Sequence, residues 1–272
     1  MAVVINSNLA ALTARKNLEM SQANLSTSIS RLSSGMRITK AADDAAGLAI
    51  SEKLTAQIRG LGQASRNAAN GISVVATAEG ALVEITNSLS RMRELAVQSS
   101  SGDIGTAERT NLNAEFTALT AEIGRISTAT KFNGTDLLTS GVTSISLQIG
   151  TGSSEQLSVG LTAVTTGTLS ISAANNSTAS SAQTVLDTID TAISTVTTAR
   201  GSLGALQNRL ESVIRNLSVS IENTTAANSR IRDVDVAEET ASYTRNQILV
   251  QAGVSVLSQA NQAPSIALSL LK

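Results

Sequence analysis

Apolar residues recur along this chain at alternating three- and four-residue intervals towards both ends, and at every second position in the middle. Leu18, Leu25, Ile29, Leu32 and Met36 form a first stripe, and Leu82, Ile85, Leu89, Met92 and Ala96 a second. Leu112, Phe116, Leu119, Ile123 and Ile126 make a third, and Leu203, Leu206, Leu210, Val213 and Leu217 a fourth. Ile221, Thr224, Asn228 and Ile231 resume the fourth stripe one residue out of phase, as at a stutter. Val185, Ile189, Ala192 (or Ile193) and Val196 mark a further helical face. Any one stripe is what the core face of an ordinary helix looks like. Four of them in one chain predict a coiled-coil bundle. A helix from about residue 44 to 97 would be on the order of 80 Å long, which suits a rod.

Between the helical segments the period changes. Ser33-Ser34-Gly35 interrupts the first helix, Ser99-Ser100-Ser101-Gly102-Asp103 ends the second, and Asn133-Gly134 is a turn signal. From 139 to 181 the chain is rich in Gly, Ser and Thr. Ile145, Leu147 and Ile149 alternate with polar residues, as do Leu157, Val159 and Leu161, and Leu169 and Ile171. The segment 150–154 between the first two runs predicts a hairpin with a multi-residue loop. The expected fold class is mainly α: a long antiparallel coiled-coil rod formed by the N- and C-terminal arms, with a small β-hairpin region in the middle. The expected division is 1–43 with 234–272 as terminal helices, 44–138 with 182–233 as a helical rod, and 139–181 as a short hairpin or variable region.

Composition then removes most chemistry. The 272 residues include no His, no Cys, no Trp and one Pro, and 20 Lys+Arg stand against 21 Asp+Glu. Thiolate nucleophiles, Cys-based metal sites and the commonest general base are therefore absent. A net charge of −1 and three aromatics (Phe116, Phe132, Tyr243) give neither the basic footprint nor the stacking platform of a nucleic-acid binder. Ser and Thr supply about a quarter of the chain, above average usage. Small side chains bury little area each, so the chain is expected to complete its core with a partner. The uncharged stretch 248–271 is interrupted by Gln, Ser, Asn and Pro, and suits burial against protein better than a membrane span.

Site templates are missing. Gly150-Thr151-Gly152 lacks the third glycine of a dinucleotide fingerprint. Asp43-Asp44, and Asp233 and Asp235 with Glu238-Glu239, could in principle hold a cation; their position before helical runs predicts helix N-terminal charge instead. Asn133-Gly134-Thr135 and Asn175-Asn176-Ser177 match a glycosylation pattern that arises by chance in so Ser/Thr-rich a chain. Ser and Thr within 139–181 are further candidates to carry O-linked sugar. No catalytic residue, cofactor or metal is expected.

The residues themselves resemble the bacterial flagellins. The similarity is carried by Val4-Ile5-Asn6-Ser7-Asn8, Arg31-Leu32-Ser33-Ser34-Gly35-Met36-Arg37-Ile38, Ala41-Ala42-Asp43-Asp44-Ala45-Ala46-Gly47-Leu48-Ala49-Ile50 and Arg91-Met92-Arg93-Glu94-Leu95-Ala96-Val97-Gln98. It continues in Lys131-Phe132-Asn133-Gly134, Asn228-Ser229-Arg230-Ile231-Arg232-Asp233-Val234-Asp235, Gln259-Ala260-Asn261-Gln262 and Leu268-Ser269-Leu270-Leu271-Lys272. It spans about 1–138 and 182–272. The middle is short for the family, so the outer variable domains are missing, and the last residue is Lys where Arg is usual.

That resemblance implies a filament subunit whose paired termini line an inner channel, surrounded by a helical rod with a hairpin. The self-assembly residues of the inner arms would include Leu18, Leu25, Ile29 and Leu32 at the N-terminus, with Val250, Val254, Leu257 and Leu268 at the C-terminus. The resemblance further implies export of the unfolded chain through a type III channel, and a location outside the cell in the flagellum. It implies an export chaperone on the C-terminal arm, gripping the same four C-terminal residues, and filament cap and junction proteins as partners beside further copies of the chain. Arg91, Leu95 and Glu115 match a patch that the animal innate receptor TLR5 recognises in some flagellins, and which also serves subunit packing. The alternatives are a hook–filament junction protein and a soluble coiled-coil adaptor. A metalloprotease-bearing flagellin is discounted, since the chain has no His.

Overall fold

The computed structural model describes residues 7–141 and 144–269, with the side chains of 263–269 left aside. Its described elements run α1 (Leu9–Ser34), α2 (Ala45–Ser100), α3 (Thr106–Ala129), β1 (Lys131–Phe132), β2 (Thr135–Asp136), β3 (Ser144–Gln148), β4 (Gln156–Gly160), α4 (Ala179–Arg232) and α5 (Val236–Ser269). The mainly α fold with a small hairpin region is the architecture the periodicity predicts. The chain divides into two compact units, 57–222 on the one hand and 1–56 with 223–272 on the other.

In the unit 57–222 the predicted stripes are the core. Leu82, Ile85, Leu89, Met92 and Ala96 of α2 are buried together with Phe116 and Ile123 of α3 and Val185, Ile189, Ala192 and Val196 of α4. Ala192 faces inward, and Ile193 only flanks the cluster. Helices α2 and α4 are antiparallel here: Glu79 lies opposite Arg200 (3.8 Å) and Arg93 opposite Asp190 (2.7 Å). The hairpin β3–β4 pairs Ile145 with Val159 and Leu147 with Leu157, as alternation predicts. Val159 is fully buried, and Asn67 on α2 donates to the Gln148 carbonyl at 2.9 Å, which fixes the hairpin on the helix. Asn133 and Gly134, with φ of 48° and 80°, form a two-residue loop joining β1 to β2. That pair of left-handed residues is the turn a tight hairpin requires.

Two details differ from the sequence pattern. Leu169 and Ile171 are buried but form no strand. The hydroxyls of Thr165 and Thr168 bond to local backbone, and the Leu169 and Ile171 amides donate to Thr165 and Thr166 carbonyls. Local hydroxyl bonding of this kind competes with strand pairing. Helix α4 begins at Ala179, three residues before the expected Ala182, because the Thr178 hydroxyl caps its first turn by accepting from the Ser181 amide.

A buried polar knot closes this unit. Asn176 is fully buried. Its side-chain amide donates to the Leu95 carbonyl (3.1 Å), its backbone amide donates to Asn113 Oδ1 (2.8 Å), and its carbonyl accepts from Ser99 Oγ (2.6 Å). Arg109 donates to the Ser99 and Ser101 carbonyls, placing a cation at the C-terminus of α2.

In the other unit α1 and α5 pack antiparallel: Asn8 donates to the Ala260 carbonyl (2.7 Å), and at the far end Arg31 pairs with Glu239 (3.6 Å). The inward positions of α1 include Ala11, Ala14, Leu18, Ser21, Leu25, Ser28 and Leu32, and those of α5 include Asn246, Val250, Gly253, Leu257 and Ala260. Half of these twelve are Ala, Ser or Gly, which lets the backbones approach closely there. A Cβ at Gly253 would come within 3.2 Å of Leu18 Cδ1.

Two substitutions test this packing. Asn176→Ala should lower unfolding stability by about 1–3 kcal/mol, the range for leaving buried hydrogen-bonding groups unpaired, as read by denaturant titration. Gly253→Leu should lower the thermal stability of the α1–α5 pair by about 1–3 kcal/mol through overpacking against Leu18, as read by circular dichroism.

Candidate assembly surfaces

The acidic clusters are structural. Helix α1 stops at Gly35, whose φ of 71° is left-handed and whose amide donates to the Arg31 carbonyl. The Asp43 carboxylate then folds the connection by accepting from the Thr39 and Lys40 amides and the Thr39 hydroxyl. Asp44 caps α2 through the Gly47 amide (2.8 Å), and Asp235 caps α5 through the Ala237 and Glu238 amides. Met36 and Asp233 form a β-bridge, supported by bonds from the Arg37 amide to the Arg232 carbonyl (2.7 Å) and from the Val234 amide to the Gly35 carbonyl (3.1 Å). The break after α1 and the break after α4 are thereby tied to each other. Among the described residues no cluster of acidic side chains is arranged to hold a metal ion.

The apolar residues of α1 and α5 divide into two sets. Leu18, Leu25 and Leu32 lie half-buried in the α1–α5 seam, facing the helix that carries the half-buried Val250 and Leu257. Ile29 does not lie in the seam. It is 50% exposed, and the inward place beside it goes to the buried Ser28, because the three-then-four steps of the seam from Leu18 through Ser21 and Leu25 continue to 28 and 32. Val254 is likewise exposed, and Leu268 lies outside the described side chains. With Ile29 and Val254 on the outer surface stand Leu9, Leu12, Met20, Val236, Ile248, Leu249 and Val256. Nine of the twelve large apolar side chains that the described residues expose are thus on these two helices. Scattered singly they would be ordinary; gathered on one helix pair they make it a candidate surface for binding protein.

A second surface joins α2 and α3. Arg91 Nε donates to Glu115 at 2.9 Å, and Arg91 Nη1 to Glu94 at 2.9 Å. These carboxylates hold the Arg91 guanidinium above its ordinary pKa, with Glu115 the stronger influence. Leu95 does not share this surface: it is 1% exposed and belongs to the core cluster. A direct contact of Leu95 with a receptor is therefore excluded in the folded unit; what lies open beside Arg91 is Glu94 and Val97. Sequence reasoning also passed over Ser28, Gly253 and Asn176. The first two were legible as members of a 3–4 repeat, whereas nothing local distinguishes Asn176 from its Asn and Ser neighbours.

Comparison with known proteins gives one answer. Residues 5–143 match the bacterial flagellin N-terminal helical region, and residues 186–271 match the bacterial flagellin C-terminal helical region. The chain is 47% identical over 272 residues to a flagellin of Halalkalibacterium halodurans, covering 99% of this chain and 100% of that one. It is 41% identical over 286 residues to a flagellar filament 33 kDa core protein of Treponema phagedenis, covering 99% and 100%. The crystal structure of Bacillus cereus flagellin superposes with a TM-score of 0.52 at 28% identity, covering 60% of this chain and 94% of that chain.

Asp43 gives the connection between α1 and α2 a pH dependence. The Thr39 and Lys40 amides hold its carboxyl below the ordinary value of 3.8. A lowered folded-state pKa contributes stability that is complete above the ordinary value and is lost as pH falls through the folded one. Asp43→Asn should therefore melt earlier than the parent at neutral pH, and the gap should close at pH well below 3.8. Thermal melts of both proteins across the acid range check this.

Proposed function

The chain belongs to the bacterial flagellin family and is a structural subunit of the flagellar filament, not an enzyme, and from this we propose that it enters the filament through the outer apolar faces of α1 and α5. The observation that carries the proposal is the gathering of Leu9, Leu12, Met20, Ile29, Ile248, Leu249, Val254 and Val256 on that pair. Fully burying an aliphatic side chain of this size is worth about 1.5–3 kcal/mol. The eight are 48–74% exposed, so burying what remains open gives a gross gain of about 7–14 kcal/mol per subunit, comparable to the cost of association. Leu18, Leu25, Leu32, Val250 and Leu257 act earlier, by holding the two helices together so that the outer face exists. The alternatives, a hook–filament junction protein and a coiled-coil adaptor, are not favoured against relatives that match from end to end.

The filament is an extracellular appendage. Export of the unfolded chain through the flagellar type III channel fits terminal helices whose mutual seam intersperses its leucines and valine with small residues and so buries little apolar surface. An export chaperone would occupy the same α5 positions before assembly, Val250, Val254 and Leu257 among them, and Leu268 by resemblance. Filament cap and junction proteins would meet the same helices at the two ends of the polymer. The Arg91–Glu115 pair is the place for recognition by TLR5 or for packing against a neighbouring subunit, with Leu95 supporting it from beneath.

Negative-stain microscopy of seeded monomer tests the assembly reading. The parent chain should form long uniform filaments. The variant carrying Leu249→Asp and Val254→Asp, with parental helicity by circular dichroism, should form none; filaments of parental length from it would refute the assignment. In a receptor-activation assay, Arg91→Ala should lose signal severalfold if TLR5 reads this face, and unchanged activation would reassign the pair to subunit packing.

A further inference from the structure

The chain holds two Asn-Gly pairs, Asn70-Gly71 and Asn133-Gly134. Asn followed by Gly is the pair most open to spontaneous loss of the side-chain amide, because no Cβ on the second residue blocks the approach of its backbone nitrogen. The fold puts the two pairs in opposite surroundings. Asn70 lies in the interior of α2, where the helical ladder holds the Gly71 amide. Gly71 is buried, with Leu147 and Leu210 packed against it. Asn133 and Gly134 are both exposed and form the whole loop between the paired residues Phe132 and Thr135. The space where a Gly134 Cβ would stand is empty to 4 Å. The strands on either side are two residues each. A hairpin this short opens locally while the rest of the unit stays folded.

We propose that Asn133 is a self-modification site, converting to aspartate and isoaspartate in the folded protein while Asn70 is held intact. The Gly134 backbone nitrogen, having lost its proton to solvent base, attacks the Asn133 side-chain carbonyl carbon. A C–N bond forms, the bond to the side-chain nitrogen breaks, and ammonia leaves, giving a five-membered imide. Water then adds to one of the two imide carbonyls and reopens the ring, to aspartate or to isoaspartate. Nothing is oxidised or reduced, and water is the only co-reactant. Closing the ring requires Asn133 to leave its left-handed conformation, so each conversion waits on an opening of β1–β2.

Either product places a new carboxylate in a turn whose Asp136 already pairs with Lys131 at 2.9 Å. The isoaspartate product also lengthens the backbone of a two-residue loop by one carbon, and a tight left-handed turn does not accommodate it. The strand that follows leads directly into the buried Leu137 and Leu138, so the modified hairpin loosens the edge of the core.

The test is a timed incubation of the full chain in mildly alkaline buffer, once native and once in denaturant, followed by peptide mapping with mass spectrometry. Isoaspartate is scored by enzymatic methyl transfer. The native chain should accumulate both products at Asn133 and none at Asn70, and the denatured chain should convert both sites at comparable rates. An Asn133 that stays intact in the native chain over an interval that converts it in denaturant would overturn the proposal. Native conversion of Asn70 as fast as that of Asn133 would overturn it equally.

Discussion

The size of the side chains available to the terminal helices governs what the rest of the molecule does. Ala14, Leu18, Ser21, Leu25 and Ser28 face α5, and Asn246, Val250, Gly253 and Leu257 face back. A seam that alternates leucine with alanine, serine and glycine lets two backbones come close, yet removes little apolar surface from water. Other large apolar groups are turned outward, with Leu9 74% and Leu12 64% exposed. The unit 57–222 is built the other way round: Phe116, Leu82, Ile85, Leu89, Met92 and Ile189 are enclosed. One unit thus encloses a core of its own, and the other leaves much of its apolar surface open. A homopolymer is the assembly in which such an incomplete surface is supplied by identical neighbours.

Polar residues do the terminating and the tying. Gly35, Asp44, Thr178 and Asp235 each end or begin a helix by satisfying backbone groups that a helix terminus leaves open, and Asp43 folds the loop between α1 and α2. The Asp43, Asp44 and Asp235 carboxylates, which the sequence places before helical runs, accept from nearby backbone amides. Asn176 does for the unit 57–222 what the caps do for single helices: it joins the end of α2, the middle of α3 and the approach to α4 through three hydrogen bonds.

Much of this was legible in the sequence, for reasons that also explain the failures. The seams of α2, α3 and α4 read correctly because large apolar residues repeat there at helical spacing with few interruptions. The α1 seam read less well, because Ser28 carries no hydrophobic signal and Ile29 next to it carries a strong one. The loop around Leu169 read as a strand because alternation says which side chains are buried and not how hydroxyls bond the backbone between them. Leu95 was assigned to a surface by resemblance alone, although it stands three residues after Met92 and beside Ala96, on the stripe that periodicity places inside. Asn176 had no legible signal, since its role comes from three partners distant in sequence.

The bridge between Met36 and Asp233 has a mechanical consequence. The Arg37–Arg232 and Val234–Gly35 backbone bonds beside it run between two antiparallel stretches, each at a point where a helix has been interrupted. A pull along the chain at either interruption loads these bonds sideways and together, so they resist as a set and do not break in succession. The two helix interruptions of one subunit are thus stitched to each other.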